Sequence, residues 1–151
     1  MELRSADPRS AAAAELIDAL SRELAARYDF RDDGSGNFKP EDASGPRSEF
    51  LVGFIDGRPV ACAAFRPMDD RVAEIKRMYV VPGQRGKGLS KLVLAELEHR
   101  AARAGYAIAR LETGTLQPEA IALYERSGYR RIPNFGIYAG NPQSVCFEKD
   151  L

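Results

Sequence analysis

Val80-Val81-Pro82-Gly83-Gln84-Arg85-Gly86-Lys87-Gly88-Leu89-Ser90 is the stretch that decides how this chain folds. A β-rich run, Ala73 to Val81, enters a loop with three glycines, Gly83, Gly86 and Gly88, and the loop opens into a strongly amphipathic segment. Glycine lets a backbone curl until successive N–H groups converge, and the first turn of a following helix adds donors with no partner of their own. The helix dipole and the side chains of Arg85 and Lys87 bring positive potential to the same place. Physically this is a cradle for a pyrophosphate. The spacing is neither GxGxxG nor GxxxxGK[ST], and a basic, glycine-rich connection between strand and helix is also compatible with a plain linker. The rest of the chain has to decide.

Upstream, Phe50 to Ile55 and Pro59 to Phe65 flank Asp56-Gly57, a two-residue hairpin signal, and Val72 to Val81 follows as a third strand. Both hairpin strands are apolar at nearly every position, which predicts that both faces of the sheet are covered. Leu3-Arg4-Ser5 is an edge-strand candidate, with Asp7-Pro8 read as a helix start, Asp as N-cap and Pro at the first helical position. Ala11 to Arg27 then carries Leu16, Ile17, Leu20 and Leu24 on one helical face. From Tyr28 to Ser48 glycine, proline and charged residues replace the periodicity, the mark of a functional loop, with Phe30 and Phe38 as possible anchors.

Downstream, Gly88 to Ala104 reads as a helix with Leu89, Leu92, Val93 and Leu97 on its core face and Gly105 as its stop. Tyr106 to Glu112 is strand-like, Pro118 opens a helix closed by Gly128, Phe135 to Ala139 is a further strand, and Ser144 to Glu148 is the last. The order β-α-loop-β-β-β-α-β-α-β-β predicts a single α/β domain over 1–151. Its central sheet is mixed and mostly antiparallel, with helices on both faces.

Composition narrows the function. Lys and Arg total 22, as do Asp and Glu, so the net charge is zero and a dedicated nucleic-acid binder is not expected. Cys62 and Cys146 sit singly in apolar runs, without metal-ligand or redox spacing, and read as small buried hydrophobes. His99, among charged residues, reads as a solvated helix face. No apolar run reaches membrane-spanning length and no apolar leader opens the chain, so a cytoplasmic, reduced protein is the expectation.

Four blocks, in order, resemble the GNAT family of N-acetyltransferases. Glu74-Ile75-Lys76-Arg77-Met78-Tyr79-Val80 is similar to that family's fourth strand, and Arg85-x-x-Gly88-x-Ser90 to its R-x-x-G-x-[G/A] pyrophosphate loop. Leu123-Tyr124-Glu125-Arg126-Ser127-Gly128-Tyr129 resembles the end of its fourth helix, and Ser144 to Lys149 the last strand of some bacterial members. The departures are Ser90, where Gly or Ala is usual, and Gln117, where many members have Asn.

The resemblance implies an acyl-CoA N-acyltransferase fold and transfer of an acetyl group from acetyl-CoA to a primary amine by direct attack in a ternary complex. It implies Glu74 as the base, with Glu112 the runner-up, and Tyr124 as the general acid. It further implies pantetheine contacts from the backbones of Met78 and Val80 and from Gln117. Pyrophosphate donors would come from Arg85, Gly86, Lys87, Gly88, Leu89 and Ser90. A small-molecule or protein amine acceptor would be walled by the 28–48 loop, where Asp32, Asp33 and Asp42 mix with Phe30 and Phe38, and by turns around Asn134-Phe135-Gly136, Tyr138 and Gly140-Asn141-Pro142. A homodimer is possible, as in many relatives. The competing expectation is a CoA-binding or interaction module on the same fold without turnover; retention of both Glu74 and Tyr124 favours the enzyme.

Overall fold

The computed structural model describes residues 1–29 and 38–151. Phe30, Asp32 and Asp33, expected at the acceptor site, lie outside the described residues. Among the described residues seven strands and three α-helices follow in the order β1 (Glu2–Ser5), α1 (Ala11–Arg27), β2 (Glu49–Ile55), β3 (Arg58–Pro67), β4 (Val72–Val80), α2 (Leu89–Arg103), β5 (Ile108–Gly114), α3 (Pro118–Arg126), β6 (Arg130–Ile132) and β7 (Ser144–Asp150). They form one sheet of order β1-β2-β3-β4-β5-β7-β6. β4 and β5 run parallel, because α2 crosses between them, and the other pairs are antiparallel. The mixed, mostly antiparallel sheet expected from the sequence is the one observed.

The continuous apolar runs of β2 and β3 are explained by two cores, one on each side of the sheet. On one side Leu51, Ala61, Ala63 and Phe65 pack with Val93, Leu94 and Leu97 of α2 and Tyr124 of α3. On the other, Phe50, Val52, Cys62 and Ala64 pack with Leu16 and Leu20 of α1 and with Phe38. Cys62 and Cys146 are free thiols with no exposed surface. Burial pushes the Cys62 thiol up to about 12 against a weaker opposing pull from Arg77, and its Sγ donates to the Arg77 carbonyl at 3.2 Å.

Three local expectations are corrected. Asp7 does not cap α1: its carboxylate accepts the Arg9 N–H at 2.8 Å and its carbonyl the Ser10 N–H at 2.9 Å, closing a turn of its own. The cap is Ser10, whose hydroxyl accepts the Ala13 N–H at 3.3 Å. Leu92 is 56 % exposed, and Leu94 takes the core position instead. Phe135 to Ala139 is not a strand. It holds a short 3-10 turn, Gly136–Tyr138, with Tyr138 turned inward. The strand is Arg130–Ile132, whose charged sequence hides it. It is an edge strand, and Arg130 pairs with Glu148 at 2.7 Å and Asp150 at 3.3 Å on β7.

Leu97→Ala is expected to cost about 2–5 kcal/mol in urea unfolding, while Leu92→Ala stays within about 0.5 kcal/mol. At pH 8 dithionitrobenzoate is expected to label neither cysteine in the folded protein and both after guanidinium unfolding; labelling of the native state would contradict the burial of the two thiols.

Candidate active site

The β4–β5 ladder runs only from Val72↔Ile108 to Ile75↔Leu111. Beyond Ile75 the strands part. β5 continues on β7 as far as Gly114↔Ser144, while β4 stays with β3 through an irregularity between Cys62 and Ala64. At that irregularity Arg77 takes a left-handed φ of 57°, a conformation L-residues avoid unless their surroundings impose it. The gap between the strands lets residues from opposite sides of the sheet meet. Leu20 and Leu24 of α1 and Tyr124 of α3 therefore line one cavity.

Two connected spaces follow this gap. The larger, about 380 Å³, lies between β4, the loop into α2, and α3. Met78 and Val80 form part of its wall from β4, with Gln117 and Ala120 opposite. Arg85, Gly86, Gly88, Leu89 and Ser90 close its end. Gly86 and Gly88 have φ of 78° and 77°, and a Cβ at either would meet nothing within 4 Å, so it is backbone conformation rather than space that calls for glycine there. Gly88 is the N-cap of α2 and no side chain caps that end, leaving the first donors of the helix open toward the cleft.

The two loop cations behave differently from one another. Arg85 donates to the Val80 carbonyl at 2.9 Å and to Glu23 of α1 at 2.7 Å, so its guanidinium also ties the loop to α1. Lys87 lies off the cleft wall, donating to Gln84 at 3.0 Å. A second strut crosses nearby, where Arg27 pairs with Glu119 of α3. Tyr28, at the C-cap of α1, accepts from the Leu116 N–H at 3.3 Å and from Gln117 Nε2 at 3.4 Å. Its hydroxyl sits where a Cβ on Gly114 would be, so only glycine fits at the end of β5.

The smaller space, about 120 Å³, shares Leu20, Met78, Gln117 and Ala120 with the larger. Its wall adds Tyr124, Glu112, Lys76, Arg77 and Phe38. Tyr124 is 5 % exposed and packs edge-on against Tyr129 with ring centres 5.7 Å apart, and its carbonyl accepts from the Tyr129 N–H at 3.0 Å. Burial, reinforced by the charge of Glu112, holds its phenol well above the ordinary tyrosine range. Glu112 accepts from the Ser144 hydroxyl at 2.7 Å.

Glu74 is placed differently from Glu112. It is 6 % exposed in the middle of the sheet, held by Arg66 at 2.9 Å with Lys76 at 3.8 Å, and lines neither space. Lys76 donates to the Tyr138 hydroxyl at 2.6 Å. Burial draws its ammonium below the usual lysine range and Glu74 pulls it back. Asp42 pairs with Arg66 at 2.6 Å rather than facing the smaller space. Sequence reasoning missed Lys76 and the α1 residues Leu20 and Glu23; helical periodicity marked Leu20 as core but could not say that the core opens into a cleft there.

Comparison with known proteins places this geometry among acetyltransferases. The family model described as the acetyltransferase (GNAT) family matches residues 13–129. The "IAA acetyltransferase" of Azospirillum brasilense is 32 % identical over 145 residues, which is 95 % of this chain and 94 % of that protein. The N-acetyltransferase YsnE of Bacillus subtilis is 32 % identical over 113 residues, 74 % of this chain and 75 % of that protein. Among solved structures, one assigned as an acyl-CoA N-acyltransferase from Klebsiella pneumoniae superposes with a TM-score of 0.83 at 31 % identity, covering 99 % of this chain and 97 % of that one. A GNAT acetyltransferase from Elizabethkingia anophelis with acetyl-CoA bound shares the fold, with a TM-score of 0.71 at 15 % identity and coverage of 99 % and 97 %.

Gly88→Ala puts a Cβ on a left-handed N-cap, a strain of roughly 1–2 kcal/mol. Calorimetric titration with CoA is expected to show roughly tenfold weaker binding in that variant, and unchanged affinity would remove the loop from the binding site.

Proposed function

The chain belongs to the GNAT acetyltransferase family and is an N-acetyltransferase with acetyl-CoA as co-substrate, and from that premise we propose how its residues divide the work. The proposal rests on one observation above all. The two spaces meet at Met78, Gln117 and Ala120, so a donor lying along the larger would bring its reactive end to Tyr124 and Glu112 in the smaller.

In this reading the amides from Arg85 to Ser90 and the open end of α2 hold the pyrophosphate, and the half-buried Ser90 hydroxyl adds a donor where the usual small residue has none. The β4 backbone around Met78 and Val80, no longer paired to β5, serves the pantetheine amides. Gln117 serves them from the other wall, with Tyr28 as its second contact. Lys87 contributes long-range charge only.

An acceptor amine is mostly protonated at neutral pH and cannot attack until it loses a proton. Glu112, on the wall of the smaller space, takes it directly or through one water. Glu74, buried in an ion pair with Arg66, instead sets the charge around Lys76. The nitrogen lone pair then forms the new N–C bond at the thioester carbonyl, whose developing oxyanion is met by a backbone donor of β4. The C–S bond breaks, the sulfur leaves with its electron pair, and the nitrogen, positive since the attack, loses its second proton through solvent to the departing thiolate. Because burial raises the Tyr124 phenol, it stays protonated throughout the neutral range and donates a hydrogen bond to that sulfur without fully ionising.

Tyr124→Phe is expected to lower kcat roughly 100-fold with little change in acetyl-CoA affinity. Glu112→Gln should reduce kcat more than Glu74→Gln does; the reverse ranking returns the base role to Glu74. The wild-type rate should fall on acidification as the base is protonated. It should show no alkaline loss below about pH 10, since the raised phenol is still protonated there.

A further inference from the structure

Resting on the assignment of the larger space to the donor, we propose that Lys91 and Arg126 hold the 3′-phosphate on the ribose of the coenzyme, with Ser127 as a further donor. The protein then selects CoA over its 3′-dephospho form. CoA carries two kinds of phosphate. The pyrophosphate spreads single charges over two phosphorus centres, which suits neutral amides and an open helix end. The 3′-phosphate is a monoester that gathers about −1.5 to −2 charges on one centre at pH 7, which suits full cations.

The wall of the larger space keeps such cations. Among the described residues its charged side chains are Glu23, Arg85, Lys91, Glu119 and Arg126. Glu23 pairs with Arg85 at 2.7 Å, and Glu119 pairs with Arg27. Lys91 and Arg126 are exposed, and their side chains make no hydrogen bond or ion pair with any described residue. The uncompensated positive charge of this wall is therefore theirs. Their place along the space agrees with this. α3 lays Ala120, Leu123 and Ser127 along the wall, three and four residues apart on one helical face. Ala120 also borders the smaller space, and Ser127 lies about 10 Å of helical rise beyond it. Arg126 thus stands at the end remote from the thioester, on the same wall as Lys91 in the first turn of α2. The Ser127 hydroxyl is buried there with no hydrogen-bond partner among the described residues. An unpaired buried hydroxyl costs stability, and a phosphate oxygen supplies the acceptor it lacks.

The test titrates the protein calorimetrically with CoA and with 3′-dephospho-CoA, which differ in that one group. CoA is expected to bind roughly tenfold more tightly, the worth of one charge-assisted contact. In the double variant Lys91→Gln with Arg126→Gln the gap should close to within about twofold, whereas Arg126→Lys should keep most of it. The readout is a ratio of two ligands on one protein, so a general weakening of the donor site does not imitate it. Wild-type affinities within about twofold of each other overturn the proposal and leave the donor site standing. Binding of neither ligand removes the donor site and the proposal together. A gap that survives in the double variant overturns the role of the two cations and with it the proposal. Should the double variant not fold, each single variant is expected to narrow the gap, and a wild-type gap in both singles overturns the proposal equally.

Discussion

The structure depends on a ladder that stops. β4 and β5 share hydrogen bonds for four residue pairs, up to Ile75↔Leu111, and then follow different partners. A parallel pair is held by slanted bonds and needs a long crossover, here α2, to close it. At its far end nothing obliges the strands to remain together once β3 and β7 claim their outer edges. The left-handed Arg77 and the shift between Cys62 and Ala64 absorb the change of direction on the β4 side. Without that parting the sheet would separate α1 from α3, and Leu24 and Tyr124 could not share a wall. The cost is a strained, buried arginine in the middle of a strand, tolerated because the surrounding cores over-determine it.

Much of this was legible in the residues, and the reasons differ by element. The hairpin at Asp56-Gly57 and the glycine loop at 83–88 were readable because turn chemistry is local, set by a few residues whose backbone options are few. The two-sided burial of β2 and β3 was readable because strands covered on both faces lose their alternation. The start of α1 was misread by a few residues because Asp7 and Ser10 are both good caps, and only the turn that Asp7 closes with Arg9 decides between them. The last edge strand was hidden because Arg130 and Arg131 carry no apolar signal; the ion pairs of Arg130 are written in the acidic residues of β7, eighteen positions and more away.

The two candidate carboxylates mark where sequence reasoning stops. Glu74 and Glu112 sit on neighbouring strands that are both near the cleft, and a strand pattern cannot say which one turns into a cavity. That depends on where the ladder ends relative to each residue. Glu74 pairs with Arg110 inside the ladder, whereas Glu112 lies one position past its last pair. A difference of a single register step, invisible in composition, separates an internal ion pair from a wall residue. Lys76 escaped notice for the same reason, since a lysine in a strand reads as an exposed charge until Tyr138 is brought over it by the turn at 136–138.

The seat of Tyr28 on Gly114 has a bearing on how such a site can diversify. Tyr28 is pinned across to the end of β5, and Phe38 is buried in the core under α1, 6 % exposed and 6.3 Å ring to ring from Phe50. The eight positions between 29 and 38 are thus bracketed by two anchored aromatic rings. Any side chain at Gly114 therefore reaches beyond β5, because it displaces the Tyr28 ring and with it the contacts of Tyr28 to Leu116 and Gln117. The end of β5 and the C-cap of α1 can then change only together, a coupling between two positions 86 residues apart in the chain.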